Sequence, residues 1–270
     1  MNALDALSQH LVPAVMVVSR ISGMAVQGPL LSSPAIPLRI KALLVASLGL
    51  AVYPTVAANA ELPSSVTLGL AAGLVVLEFG IGVFIGFMAS MPLYAAQFGG
   101  LSMAQQIGLG FARFYNPALG DESDALEQIF FFLALAVFLS LGGLESMVSA
   151  VVGSFNSLPA SSVPAMLMGA SVDSPLGIFT GALSASFELG LRVAMPLLAI
   201  VCLETVVMGY LSRSVPQLNI MSIGFPMRIV LGLAVIIASL AAIDEAIVDG
   251  TVGTLEALLI ATSAESGGGA

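Results

Sequence analysis

The sequence predicts an all-α, polytopic membrane-type protein of about six apolar helical segments, and three observations carry that prediction. Hydrophobic residues make up 58% of the 270-residue chain and charged residues only 9%, about a third of the charged share of a soluble domain. Mean hydropathy is +1.07, and 7 Lys plus Arg with 16 Asp plus Glu are too few to cover a body of this size, so its surroundings are lipid or a large apolar assembly. The apolar residues run in blocks near or above the roughly 20 that cross hydrocarbon. In that medium each backbone polar group must be satisfied within its own segment, which selects helix.

Block one, 11–31, follows a stretch that contains Asp5 and no Lys or Arg. A cleavable signal peptide needs a basic start and a small-residue cleavage site, so Met1 onward reads as mature protein. Block two is 42–60. Block three, 66–96, has Glu78 as its one charge, and block five, 176–210, holds Glu188, Arg192 and Glu204. Both exceed one simple crossing. Each is either two helices broken at Pro92 or Pro196 or one helix that extends past the bilayer. Block four is 128–152 and block six, 225–248, has Asp244 at its end. The tail Ser263–Ala270, SAESGGGA, is expected to be flexible. At about 20 residues per crossing the chain has room for six to eight spans in one membrane domain.

Glycines four apart, Gly69/Gly73, Gly82/Gly86 and Gly177/Gly181, let helix backbones approach closely and are read as internal packing. Basic residues in the connections, Arg39, Lys41, Arg113, Arg213 and Arg228, put 32–41, 97–127 and 211–224 on the cytoplasmic side of a six-span scheme, with both termini outside.

Most chemistry is excluded. With a net charge of −9 and its basic residues scattered singly, the chain has no footprint for nucleic acid. Lys41, its only Lys, follows no Gly-x-x-x-x-Gly run, so nothing cradles a nucleotide phosphate. His10 stands alone, Gly-x-Ser-x-Gly is absent, and Cys202 is the one cysteine, so no catalytic triad, zinc site or disulfide is expected. An enzyme is not expected, and no cofactor is called for.

Charges inside apolar blocks are the most informative single residues, since each costs about 2.5–3.5 kcal/mol at a helix centre. They are Arg20, Glu78, Glu188, Arg192 and Glu204. Glu188 and Arg192 lie four apart on one helix face and neutralise each other. Glu78 and Glu204 have no partner within one turn, so each must pair across helices, meet water or be protonated. A proton relay and a polar clamp between subunits both fit. One connection differs from the rest. Gly99–Glu127 begins with a glycine pair, carries Gly108 and Gly110, which would end a helix, and turns at Asn116-Pro117. It is too apolar around Met103–Phe111 for a solvated linker. It reads as a segment folded back into the protein, such as a plug in a conduit, with Asp121–Asp124 opening the next helix.

These residues resemble the FliR family of flagellar export proteins, called SctT in virulence type III secretion. The resemblance covers most of the chain: Arg20–Lys41 with its Arg-x-x-Gly and Pro-rich turn, Glu78–Gly86, Gln97–Glu127, Gly142–Pro159, and most specifically Pro216–Ile229, PQLNIMSIGFPMRI. Two departures, Gly143-Leu144 for the Gly-His of many members and Asn116 for Asp, remove titratable groups.

The resemblance implies a single-copy export-gate subunit in a tapering helical pore, assembled with FliP-like and FliQ-like subunits and working with FlhA-like and FlhB-like export proteins. It implies that unfolded flagellar proteins cross the bacterial inner membrane at the basal body, driven by other subunits. Residues 1–175 would be FliP-like and 176–262 a FliQ-like hairpin, followed by the tail 263–270. Gln106, Ile107, Gly108, Leu109, Gly110, Phe111, Asn116 and Pro117 would form the pore plug. Pro216, Gln217, Leu218, Asn219, Gly224, Phe225 and Pro226 would form the cytoplasmic turn of the hairpin. The alternatives are a small proton-coupled transporter relaying through Glu78, Glu188, Arg192 and Glu204, although no inverted repeat is visible, and a membrane scaffold without a conduit.

Overall fold

A computed structural model describes residues 3–57, 68–109, 125–157, 175–214 and 220–262. All seven regular elements among them are helices: α1 Ala3–Gln27, α2 Leu38–Ala57, α3 Leu68–Ile107, α4 Ala125–Ser140, α5 Gly143–Ser157, α6 Pro175–Ser214 and α7 Ile220–Thr262. The expected tail 263–270 lies outside the described residues.

Blocks three and five are each one long helix. α3 and α6 have 40 residues and keep Pro92 and Pro196 inside them, and α7 has 43 with Pro226 inside. A lost hydrogen bond at proline is tolerated where neighbouring helices shield the backbone. Block four is instead broken. The chain turns by 65° between α4 and α5 at Gly142, whose φ of +71° suits glycine rather than a side-chain-bearing residue. Ser146 then donates its backbone N–H to Gly142 O at 3.0 Å, opening α5.

Among the described residues four helices are long and apolar enough to cross a membrane: α2 over Leu38–Val56, α3 over Ala72–Ile107, α6 over Phe179–Ser214 and α7 over Gly224–Thr262. The bent pair α4 and α5 passes the same test together. About six apolar segments were expected, and four or five are found among the described residues. On α1, Ser19 and Arg20 bond across to other helices (below).

The chain divides into two compact units, Met1–Met91 with Leu139–Ala182 and Gly253–Ala270, and Pro92–Phe138 with Leu183–Val252. Each takes segments from both sides of the 175/176 division. In the first, α1 packs along α2 and α5 and crosses α3 at backbone contact. A Cβ on Gly82 would overlap Arg20 O, and one on Gly23 would overlap Phe79 O. Side chains stitch the same crossing, Ser19 Oγ donating to Val75 O and Ser90 Oγ to Gln27 O, both at 2.8 Å. Between α1, α2 and α5 lies an apolar void of about 10 Å³ lined by Ile21, Met24, Leu48, Val52, Val148 and Val151, too small and dry to hold a ligand. The end of α7 is tied to α5, where Ser157 Oγ donates to Thr262 O at 3.0 Å, satisfying one of the carbonyls a helix end leaves open.

In the second unit, α4 buries Leu126, Phe130, Ala134 and Val137, a stripe at three- and four-residue spacing. α3 and α6 cross closely there. A Cβ on Gly190 would lie 2.9 Å from Ala95 O, and the Phe98 and Phe187 rings meet edge to face at 5.9 Å.

Candidate functional site: buried charges and the root of the glycine-rich loop

The charges singled out in the apolar blocks all find partners within the chain. Arg20 on α1 donates Nε to Glu78 Oε2 on α3, and the two side chains are 0% and 2% exposed. Nη1 of Arg20 donates to Ser154 Oγ of α5 at 2.8 Å, and Ser154 Oγ donates in turn to Val151 O at 2.7 Å. The Phe155 ring centroid lies 3.8 Å from Arg20 Cζ, a cation–π contact strengthened by desolvation. One guanidinium therefore joins three helices of the first unit.

In the second unit, Glu204 of α6 takes the same kind of partner from α7. Arg228 donates Nη2 and Nε to Glu204 Oε2 at 2.7 and 3.0 Å and reaches Thr205 Oγ1 at 3.0 Å. The Glu204 side chain is 4% exposed and that of Arg228 32%. The clamp expected between subunits is thus found between helices of one chain. Glu188 and Arg192 pair at 2.6 Å as their spacing predicts, on an exposed face.

Sequence reasoning had found Arg20, Glu78 and Glu204 without their pairing. Nothing in the spacing says which helices bring Arg20, Glu78 and Glu204 to their partners. Arg228, expected with Arg213 to flank the gap before block six, sits inside α7 and pairs with Glu204. Ser154 and Phe155 had given no signal at all.

The loop enters through a well-defined helix end. Leu109 N–H bonds Ala104 O at 3.0 Å and Gly108 N–H bonds Gln105 O at 3.1 Å, the paired pattern of a Schellman cap, with Gly108 at φ +89°. The expected helix-ending role of Gly108 is what the backbone shows. Of the plug residues, Gln106 is exposed, Ile107 and Gly108 are buried and Leu109 is half-buried, while Gly110, Phe111, Asn116 and Pro117 lie outside the described residues. Ile107 is fully enclosed and rests on α7 at Gly232, where a Cβ would fall 2.6 Å from Ile107 Cγ1 and 2.9 Å from its Cδ1, with Leu197 Cδ1 of α6 3.5 Å away.

The other root is closed against α3 itself. Gln97 Nε2 donates to Glu127 Oε1 at 2.7 Å, and a Cβ on Gly100 would lie 2.8 Å from Leu126 O. Gln97, Glu127 and Gly232 were not singled out from sequence, and the glycine spacing in α7 gave no hint of a seat. Of the hairpin-turn residues, Pro216, Gln217, Leu218 and Asn219 lie outside the described residues. Gly224, Phe225 and Pro226 are carried inside α7, so they belong to its opening turns rather than to the connection. Pro226 is the seventh residue of α7, past the four whose N–H groups have no partner within the helix, so it removes one helix hydrogen bond.

The sequence pattern described as "Bacterial export proteins, family 1" matches residues 11–251, which include α2 to α6 whole, most of α1 and α7, and both roots of the loop. The chain belongs to this family. Among similar proteins, the flagellar biosynthetic protein FliR of Escherichia coli (strain K12) is 31% identical over 235 residues, 87% of this chain and 85% of the relative. The flagellar biosynthetic protein FliR of Caulobacter vibrioides is 27% identical over 244 residues, 90% and 94% of the two chains. The Yop proteins translocation protein T of Yersinia pestis is 27% identical over 186 residues, 68% and 69%. The resemblance read from Pro216–Ile229 and the Asn-Pro loop is borne out. This family member is a membrane protein of bacterial protein export.

Proposed function

We propose that the chain is the subunit of the flagellar type III export gate that helps form and seal the pore for unfolded flagellar proteins. The observation that carries this reading is the family match over 11–251, joined by FliR relatives covered almost end to end. The finer parts of the proposal are one copy per gate, FliP-like and FliQ-like neighbours, FlhA-like and FlhB-like export proteins alongside, and residence in the inner membrane at the basal body. The chain's work is mechanical rather than catalytic. Residues 1–175 form the FliP-like part and 176–262 the FliQ-like hairpin, consistent with α6 and α7 being antiparallel through Glu204–Arg228 at one end and Leu189 against Gly250 at the other.

Residues 106–117 are the seal. A closed protein-conducting pore must exclude ions yet yield to a polypeptide, and a Gly-rich apolar loop supplies backbone freedom with dewetting side chains. The transporter alternative was motivated by acids without partners. Glu78 and Glu204 sit in ion pairs, so that motive is gone.

The test is co-expression of the tagged chain with its neighbouring candidate subunits, mild extraction and native mass spectrometry, followed by conductance of the recovered complex in a planar bilayer. One copy in a large hetero-oligomer is expected, and deletion of 109–117 is expected to raise ion conductance with assembly intact. A stable homodimer without partners would overturn the gate reading.

A further inference from the structure

We propose that the side of the α6/α7 hairpin turned away from α3 is an interaction surface outside the hydrocarbon, where Glu188, Arg192, Glu245 and Asp249 dock a partner protein that presents Lys and Arg. The inference is independent of the gate reading.

Leu189 of α6 fills the space beside Gly250 of α7, so these two positions mark where each helix faces the other. Successive residues turn by about 100°. Glu188 and Arg192 therefore lie about 100° and 60° round α6 from Leu189, and in the antiparallel α7 Asp249 and Glu245 lie about 100° and 140° round from Gly250, toward the same side. α3 is on the other side. Gly190 and Val193, turned the opposite way from Leu189, are the positions that meet α3 at Ala95 O and Gly99. The four charges thus share a face of the hairpin that α3 leaves uncovered. Glu188 and Arg192 are 63% and 57% exposed, Glu245 and Asp249 are exposed as well, and neither of these two α7 acids forms an ion pair among the described residues.

Lipid does not cover such a face. Charges turned outward are costly in hydrocarbon, and helices of 40 and 43 residues, about 60 Å long or more, have room for these positions beyond a core of about 30 Å. Around the charges the face is shallow. Ala199 of α6 and Ala242 of α7 fall on the same side and are exposed, so a protein surface can approach without displacing long side chains. Three carboxylates against one guanidinium leave the face net acidic, and complementary potential assigns it a basic partner. Arg192 holds Glu188 at 2.6 Å, which leaves Glu245 and Asp249, one turn apart on α7, as the carboxylates open to an incoming Lys or Arg.

The test uses the native membrane. Ala242→Cys, in a chain that also carries Cys202→Ser, is expressed with the complete export apparatus, and opened membrane fragments are treated with a polar maleimide before and after a wash in about 1 M KCl, where charges are screened within about 3 Å. The expected result is slow labelling before the wash and labelling about tenfold faster after it. Equally fast labelling before the wash means that the face meets only water and overturns the proposal. Protection both before and after means that lipid or an apolar contact covers the face, and overturns it too. Glu245→Lys with Asp249→Lys in the same cysteine chain repels a basic partner and is expected to label fast without the wash, and slow labelling there overturns the proposal. Should Ala242→Cys fail to assemble, Ala199→Cys on α6 takes its place with the same outcomes.

Discussion

A single guanidinium carries an unusual share of the first unit's specificity. Arg20 is fully buried and meets Glu78, Ser154 and Phe155, which belong to two other helices. Removing one partner of a buried pair leaves the other charge without compensation, so Glu78→Ala should cost about 3–5 kcal/mol, whereas replacing both with apolar residues of similar volume is often neutral or stabilising. The expected outcome is a marked fall in thermal unfolding temperature for Glu78→Ala in the purified complex and near-recovery for Arg20→Met with Glu78→Leu. A single variant that melts with the unaltered protein would show that the pair contributes nothing.

Glu188→Gln is the contrast. Its pair with Arg192 is more than half exposed, and i,i+4 pairs on exposed faces contribute about 0.3–0.5 kcal/mol, so unfolding temperature should hardly move. The positions of these charges were legible in the sequence because a charge in an apolar run is conspicuous. Their pairing was not, because Arg20 and Glu78 are 58 residues apart and which helices touch is set by packing rather than by spacing.

At the scale of the element, helix length and helix contact follow different rules. α3, α6 and α7 have 40, 40 and 43 residues, about 60 Å or more at 1.5 Å per residue, twice a hydrocarbon core of about 30 Å. The sequence left open whether the long blocks were two helices or one. Prolines do not decide that question where adjacent helices shield the freed carbonyl. The break at Gly142 is hidden in the sequence because it falls inside one apolar block, 128–152, and hydropathy has no term for a positive φ.

Glycine spacing marked a helix contact at one of its three pairs, and Gly181 has open space at its Cβ position. Gly82 and Gly86 are the contact of α3 with α1, while Gly73, paired with Gly69 by the same spacing, has nothing within 4 Å of its Cβ position. Gly82→Val should therefore force two backbones apart, at about 1–3 kcal/mol or more, while Gly73→Ala should be neutral or slightly stabilising for the chain itself. Melting the two variants side by side in one detergent checks this. Equal losses would show that the crossing is not where the stability lies.

At the scale of the whole molecule, the outward surface is as apolar as a core. Only 17% of the α7 span window and 11% of the α2 window are buried within the chain, and on α6 Leu203, Val206 and Tyr210 are 60%, 66% and 76% exposed. Monomeric soluble proteins rarely leave patches of this size uncovered, so these faces are covered by lipid or by other subunits of the export apparatus. Hydropathy could not distinguish the two, since an apolar helix face looks alike to both. Cys202, the one cysteine, is exposed on the same stretch of α6 and reports directly on that cover. In intact membranes holding the assembled gate, a polar maleimide is expected to leave Cys202 unmodified. In chains expressed without partners and extracted in detergent, it should label within the range of an exposed thiol. A membrane-permeant, lipid-soluble maleimide in the same membranes then separates the two covers: continued protection means that subunits pack over α6 at Cys202, and labelling means that the face is turned to lipid. Rapid modification in the native membrane would show instead that this face meets water, and α6 would have to be moved out of the covered surface of the gate.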